Sequence, residues 1–277
     1  MASSSIPMTP AQAAVPRQAA SIILLRDGAR GLETLMLRRH SRSGFAASAW
    51  VFPGGVVDAM DAQVDAGNWS GIDPSALAPV FDLTPPQVLA IHVAAVRETF
   101  EEAGVLLAQR RDGTRVDVAA PAFAEIRHAL NDREVSVDWP GFLRREGLVL
   151  DLGAVAYFSR WITPFQEPRR YDTFFFAARM PAGAIAAADT VETTQDRWIT
   201  PQDALAEEEF RLIFPTIKTL GALDHLGSVD AILDKARTQS VVSITQPHIL
   251  VDDDGRYTRI LLPTDEGYPH ELYASYG

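Results

Sequence analysis

Residues 97–106 read Arg-Glu-Thr-Phe-Glu-Glu-Ala-Gly-Val-Leu and close a segment whose apolar residues recur with helical spacing. Thr84 followed by Pro85 is typical of a helix N-terminus, and Gly104 is typical of a helix end. We therefore predict a helix over residues 85–103, which carries most of this stretch.

The two faces of the predicted helix differ in chemistry. One face carries Glu98, Glu101 and Glu102, and the opposite face carries an apolar stripe formed by Leu89, Val93, Val96, Phe100 and Ala103. Carboxylates crowded in this way repel one another unless a cation binds, and Mg²⁺ prefers carboxylate and phosphate oxygens. The spacing alone fits two interpretations: a metal platform, or a solvated acidic face on which Arg97 pairs with Glu101.

Residues 52–55, Phe-Pro-Gly-Gly, lie upstream of this helix and follow a short strand predicted over residues 49–52. The two glycines permit a close approach to the backbone that side chains would block. With Asp61 and residues 97–104, they resemble the Nudix box, in which a glycine, an acidic residue and the string Arg-Glu-x-x-Glu-Glu-x-Gly form a loop, helix and loop. Gly55 matches the first glycine of that box.

The resemblance implies an α/β/α sandwich with a mixed sheet and a metal-dependent hydrolase. Glu98, Glu101 and Glu102 would bind Mg²⁺, with Mn²⁺ as the alternative, and a backbone carbonyl at Gly55 or its neighbour would complete the shell. Arg97 would orient the acidic residues around it.

Two departures from the box are informative. Residues 62–96 replace a short spacer, and Asp61, about one methylene shorter, stands where glutamate is usual. A branch similar to peroxisomal coenzyme A diphosphatases carries such an insertion, together with the strings found at residues 52–55 and 97–106. The motifs at 161–164 and 169–176 also look like that branch, so the resemblance covers about residues 18–225.

The remaining pattern predicts an α/β chain in three parts. Residues 1–17 form a disordered leader, 18–225 a Nudix hydrolase domain, and 226–277 a C-terminal extension packed on it. Residues 62–84, rich in Gly, Pro, Asn and Asp, are predicted as an inserted loop that faces substrate or a second subunit. Further strands are predicted at 19–25, 32–37, 155–162, 171–178, 197–199, 241–244 and 259–262, and further helices at 123–130, from 201, 215–226 and 229–238.

Composition excludes several classes of function. The net charge of −11 disfavours nucleic acid and anionic membranes as partners, and a chain without cysteine has neither disulfides nor thiolate metal sites. No apolar run is long enough to span a bilayer, and residues 1–20 do not resemble a signal peptide. The last four residues, Ala-Ser-Tyr-Gly, are not a peroxisomal address. We expect a cytoplasmic protein with a small nucleotide-type substrate, and a homodimer as the commonest default.

The resemblance also implies in-line attack by water on a nucleoside diphosphate linked to another moiety, with coenzyme A or acyl-coenzyme A as the branch's substrate. Glu102 or Glu98 would accept the proton, and Glu192 is the candidate base outside the box, although a loop glutamate is more often simply solvated.

Arg169 and Arg170 are candidate phosphate ligands, and Tyr171 is a candidate for a base or acyl pocket. The alternatives are a solvated turn for the arginines and an ordinary core for the aromatic run 174–176. His92 is predicted to be structural. The positive residues 38–40 are interpreted as charge that protects a strand edge.

Two rival functions remain open at this level. The same fold could hydrolyse ADP-ribose, NADH or a dinucleotide, which the box does not discriminate. A non-catalytic nucleotide-binding regulator would be expected to lack at least one box glutamate, whereas Glu98, Glu101 and Glu102 are all present.

Overall fold

The computed structural model describes residues 13–41, 46–132, 134–252, 254 and 256–273. Most of the predicted leader, residues 1–12, and the C-terminal tetrapeptide 274–277 lie outside the described residues. Among the helices that the structure describes, none is both long and apolar enough to cross a bilayer.

The chain forms a mixed eight-stranded sheet and two small sheets. Its strands are β1 (Arg17–Gly28), β2 (Gly31–Arg39), β3 (Trp50–Val51), β4 (Gly54–Val56), β5 (Trp69–Ser70), β6 (Ala108–Arg110), β7 (Leu148–Asp151), β8 (Ala156–Ile162), β9 (Tyr171–Arg179), β10 (Thr193–Ile199), β11 (Ile244–Thr245), β12 (His248–Val251) and β13 (Tyr257–Leu261). The large sheet has the order β10-β2-β1-β9-β8-β11, with β3 paired to β2 and β4 to β1. Because β1 is antiparallel to β2 and parallel to β9, the predicted mixed sheet is confirmed.

Eight helices accompany the strands in the described part of the chain. They are α1 (Pro74–Phe81), α2 (Pro85–Ala103), α3 (Pro121–Leu130), α4 (Trp139–Arg145), α5 (Pro201–Ala206), α6 (Phe214–Leu226), α7 (Val229–Thr238) and α8 (His270–Tyr273). The helix predicted over residues 85–103 is confirmed as α2. Thr84 and Gln87 form a reciprocal capping box at its start, and Gly104 ends it with φ of 68°.

The alternation of β1 side chains divides the interior into two cores, one on each face of the sheet. Ile22 and Leu24 pack in the core that contains α2, whereas Ile23 and Leu25 pack in the core that contains residues of α5, α6 and α7. Helices therefore cover both faces of the sheet, and the predicted α/β/α sandwich is confirmed.

The aromatic run 174–176 follows the same alternation. Phe174 and Phe176 are fully buried on the α2 side, while Phe175 lies on the other. His92 is buried beside Phe176, with Nδ1 2.7 Å from the carbonyl oxygen of Val88. Burial lowers the pKa of His92 to about 4, so the imidazole is neutral near pH 7. Both sets of residues are structural, as the sequence indicated.

The prediction that residues 62–84 form a loop is wrong in part, because this segment contains β5 and α1. Asp73 accepts hydrogen bonds from the backbone nitrogens of Ser75 and Ala76 at 2.9 and 3.3 Å, and Pro74 occupies the first turn. The loop-forming composition concealed this short helix. Phe81 at its end is buried in the α2 core.

Other elements differ from prediction in extent. Strand β10 begins at Thr193, well before the predicted residue 197, because its first half is a polar edge without apolar alternation. Strand β11 covers Ile244–Thr245 rather than 241–244. Helix α4 was not predicted; Asp138 caps it by accepting from the backbone nitrogen of Gly141 at 2.8 Å.

Candidate active site

The Gly-Gly segment lies directly against the acidic face of α2. In β4, the backbone nitrogen of Gly54 donates a 2.9 Å hydrogen bond to Oε2 of Glu102. A Cβ atom on Gly55 would lie 2.5 Å from Oε2 of Glu98, so a side chain there would displace that carboxylate. Glu98 and Glu102 are only 9% and 3% exposed, which excludes a freely solvated acidic face.

A buried arginine organises the acidic residues. Nε and Nη2 of Arg97 donate to the two carboxylate oxygens of Asp61 at 2.8 and 2.9 Å. Nη1 donates to Glu98 at 2.8 Å and to Glu101 at 3.2 Å. The short side chain of Asp61 reaches Arg97 because Asp61 sits in a 3₁₀ turn that Asp58 caps. The turn therefore compensates for the missing methylene.

Burial and mutual repulsion raise the pKa values of all three box glutamates. Burial raises the pKa of Glu101 to about 8, with the negative charge of Glu98 contributing next. Burial likewise raises the pKa of Glu98, and it raises that of Glu102 well above the usual range with help from Glu98. Without a cation, the site therefore tends to hold protons near neutral pH.

The donor set fits a hard divalent cation. Each box glutamate has one oxygen that accepts a hydrogen bond from Arg97 or Gly54, and its other oxygen accepts none from the described residues. Among the described residues, no three acidic, imidazole or thiol side chains are arranged to hold a metal ion by themselves. Mg²⁺ is usually held by a few carboxylates together with waters and substrate phosphates, so an incomplete cage suits it. Mn²⁺ accepts the same oxygen ligands.

We expect the pH dependence of stability to report this repulsion. The pKa of Glu101 in the folded protein, about 8, lies above its ordinary value of 4.5, so in EDTA stability is lost as pH rises from about 4.5 to 8. The resulting loss is on the order of a few kcal/mol. Urea unfolding of wild type and Glu101→Gln in EDTA measures it: the wild type should lose more stability between pH 5 and 8, and Mg²⁺ should restore it most at pH 8. Parallel pH profiles would contradict this assignment.

A cavity of about 1140 Å³ brings most of the predicted site residues together. Its wall includes Gly55, Arg97, Glu98, Glu101, Arg169, Arg170, Tyr171 and Glu192. Glu102 lies behind this wall against Gly54. The described lining includes Gln63 of the insertion but none of residues 64–82, which pack on the α2 side, and the prediction that the insertion faces substrate or a second subunit stays a prediction.

The two neighbouring arginines of the cavity differ in their surroundings. Arg169 is exposed, whereas Arg170 is 5% exposed. Nε of Arg170 donates to the carbonyl of Thr163 at 3.0 Å, and Nη1 donates to the carbonyl of Ala14 at 2.9 Å. These bonds hold the Arg170 guanidinium against the neighbouring backbone. Arg169 is therefore the better placed of the two arginines to bind a phosphate.

Glu192 lies on a loop that Asp189 shapes. Oδ1 of Asp189 accepts from the backbone nitrogen of Glu192 at 2.6 Å, and Oδ2 accepts from the hydroxyl of Thr193 at 2.7 Å. The charge of Glu192 contributes to the raised pKa values of the box glutamates, which places it beside them. The structure thus brings this predicted residue to the acidic cluster.

Arg127 ties that loop to the end of α2, and sequence reasoning missed it. Its Nε donates to the carbonyl of Glu101 at 2.9 Å, and its Nη2 donates to the carbonyls of Glu102 and Ala187 at 3.0 and 2.6 Å. A cation at a helix C-terminus is also favoured by the helix dipole. The one sequence signal for this contact with a helix end is the position of Arg127 in the last turn of a predicted helix.

Comparisons with known proteins agree with this geometry. A family model described as the NUDT19 Nudix domain matches residues 75–214. The acyl-coenzyme A diphosphatase NUDT19 of Gallus gallus is 31% identical, over 92% of this chain and 80% of its own. The protein of that name from Homo sapiens is 29% identical, over 91% of this chain and 80% of its own. The crystal structure of a NUDIX hydrolase from Alicyclobacillus acidocaldarius is 27% identical and covers 86% of this chain and all of its own, with a TM-score of 0.66.

Proposed function

This chain belongs to the Nudix hydrolase family, and on that premise we propose that it hydrolyses the diphosphate linkage of coenzyme A or acyl-coenzyme A with Mg²⁺. The observation that carries the proposal is the buried cluster of box glutamates, held by Arg97 and Gly54 at the wall of a large cavity. The names of the similar proteins from Gallus gallus and Homo sapiens support the substrate class.

The cavity offers different chemistry to the diphosphate and to the rest of such a substrate. Its acidic side offers the cluster on α2, and Arg169 and Tyr171 lie on another part of the wall. Apolar side chains also line it, including Met60, Val135 and Val137. We assign the diphosphate to the region of the glutamates, and the pantetheine and acyl chain to the apolar side chains.

In this mechanism, water attacks one phosphorus in line with the leaving phosphate oxygen. A bound Mg²⁺ would supply charge neutralisation and lower the pKa of that water. Glu98, Glu101 and Glu102 would hold the ion. The water's proton goes to a carboxylate, for which Glu98, Glu102 and Glu192 remain the candidates. Arg97 keeps the carboxylates in position throughout.

The first test is a hydrolysis screen with mass identification of the products. Coenzyme A, acyl-coenzyme A, ADP-ribose, NADH and dinucleoside polyphosphates are compared with Mg²⁺, with Mn²⁺ and with EDTA. We expect release of 3′,5′-ADP from coenzyme A species with either metal and no turnover in EDTA. Preference for another diphosphate would replace the proposed substrate, and no turnover on any compound would favour the nucleotide-binding regulator.

We also propose the division into a Nudix domain, 18–225, and an extension, 226–277. In the extension, α7 buries Val229, Ile232 and Leu233 in the core on the second face of the sheet. That packing supports an extension that folds together with the domain. A cytoplasmic location and a homodimer remain proposals, and fluorescence microscopy and light scattering would test them.

A further inference from the structure

Two consecutive arginines end β2, and their side chains have different surroundings. Nη1 of Arg38 is 3.4 Å from Oε1 of Gln195 on the neighbouring strand. Arg39 lines the cavity that contains Glu98 and Glu101. Because successive side chains of a strand point to opposite faces, these two residues serve different surfaces.

Arg39 has a donor without an acceptor. Its Nε is buried, and among the described residues it has no hydrogen-bond partner. A buried donor left unpaired costs about 1–3 kcal/mol, so the guanidinium of Arg39 has hydrogen-bonding capacity that no described residue uses.

The backbone around Arg39 is fixed. Its own nitrogen donates to the carbonyl of Ala49 at 2.9 Å, and the residue pairs with Thr193 across the β2–β10 ladder. The next residue, His40, donates its backbone N–H to the carbonyl of Glu192 at 2.9 Å. The backbone of Arg39 is therefore anchored between Ala49, just before β3, and the loop that carries Glu192.

The charges around Arg39 identify the ligand as an anion bound together with the acidic cluster. Its positive charge acts on Glu102, so it lies close to the carboxylates. The other buried guanidiniums of the cavity are engaged, Arg97 by carboxylates and Arg170 by backbone carbonyls. Arg39 lines the cavity, and a planar guanidinium matches two oxygens of a phosphoryl group.

We infer that Arg39 binds the substrate directly, donating to a non-bridging oxygen of the phosphoryl group that lies beside the α2 glutamates. This inference rests on the proposed diphosphate hydrolysis. As the attack proceeds, the guanidinium stabilises the negative charge on the phosphoryl oxygens, so its loss lowers kcat/KM.

The test compares Arg39→Gln and Arg39→Lys with Arg38→Gln as the matched control on the same strand. We expect kcat/KM for coenzyme A to fall about 100-fold in Arg39→Gln. Arg39→Lys should recover only part of this loss, because lysine keeps the charge but lacks the planar fork. Arg38→Gln should stay within about twofold of wild type, as expected for an exposed polar contact.

Mn²⁺ affinity, measured by titration, separates direct substrate binding from an effect through the glutamates. An unchanged Mn²⁺ affinity with the lower kcat/KM supports the inference. A kcat/KM within threefold of wild type in both Arg39 variants would overturn it, as would a fall matched by an equal loss of Mn²⁺ affinity. If Arg39→Gln does not fold, judged by its thermal transition, Arg39→Lys carries the comparison.

The outcome for Arg39 is distinguishable from the outcome for the proposed function. Wild-type enzyme that cleaves ADP-ribose or NADH but not coenzyme A would overturn the proposed substrate, and the same variants then test Arg39 on the compound that is cleaved. Wild-type enzyme that cleaves coenzyme A alongside a fully active Arg39→Gln would overturn the inference alone. Wild-type enzyme that cleaves no diphosphate overturns both.

Discussion

Replacing Glu101 by Gln is expected to reduce diphosphate hydrolysis by about 10³-fold, because a weakened metal site loses several kcal/mol of transition-state charge stabilisation. Glu101 lines the cavity, and one of its oxygens accepts no hydrogen bond from the described residues. A neutral amide is a weaker ligand for a hard cation than a carboxylate, and it removes one of the charges that a divalent ion would offset. The measurement is kcat and KM with saturating Mg²⁺.

The same variant should keep its fold. Glutamine has nearly the shape of glutamate, and its amide oxygen can still accept the hydrogen bond from Arg97. The substitution removes a negative charge that repels Glu98. The melting temperature in EDTA near pH 8 should therefore not be lower than that of the wild type. Glu208→Gln, which replaces an exposed glutamate, is the control for both measurements. Hydrolysis by Glu101→Gln at the wild-type rate would refute the assigned metal role.

The elements that the sequence predicted well are those with local signals. The start and end of α2 follow from Thr84, Pro85 and Gly104, which act within one helical turn of the boundaries. The β1–β2 hairpin likewise follows from two apolar runs around the turn at 28–31. In both cases, the residues that decide the structure are neighbours in the chain.

Features that depend on distant contacts were missed or misjudged. Arg127 lies 60 residues before Ala187, whose carbonyl it contacts, and no pattern in either segment announces the pairing. Arg39 was interpreted as edge charge, and its place in the cavity wall depends on residues distant in the sequence. Helix α1 was missed for another reason: the composition around it favours turns, although Asp73-Pro74 is a good local start.

The Nudix box combines a feature set by local spacing with one set by distant contacts. Spacing placed Glu98 and Glu102 on one helical face, but it did not distinguish a solvated face from a buried one. The distinction depends on the 3₁₀ turn Ala59–Gln63 and on β4, which enclose the carboxylates from sequence positions far before them. The resemblance supplied the pairing of these segments, and the structure supplies its physical basis.

We expect Asp61→Asn to be among the most destabilising single substitutions of this chain, with a cost of about 3–5 kcal/mol in the free energy of unfolding. Asp61 is fully buried and accepts two hydrogen bonds from Arg97, together with a 2.8 Å bond from the backbone nitrogen of Asp58. An amide cannot accept all of these bonds, so the Arg97 charge would remain buried with too few acceptors.

The surface pair Arg144–Asp65 provides the matched control. Its nitrogen–oxygen distance of 2.9 Å is nearly the same as the 2.8 Å of the Arg97–Asp61 pair, but Asp65 is 54% exposed and the Asp61 side chain is 0% exposed. Water can replace the lost partner at the surface, so Asp65→Asn should cost at most about 1 kcal/mol. Urea unfolding of both variants with Mg²⁺ present measures the difference. Equal midpoints would mean that burial does not set the strength of the Arg97–Asp61 pair, and that the 3₁₀ turn holds Asp61 in place without it.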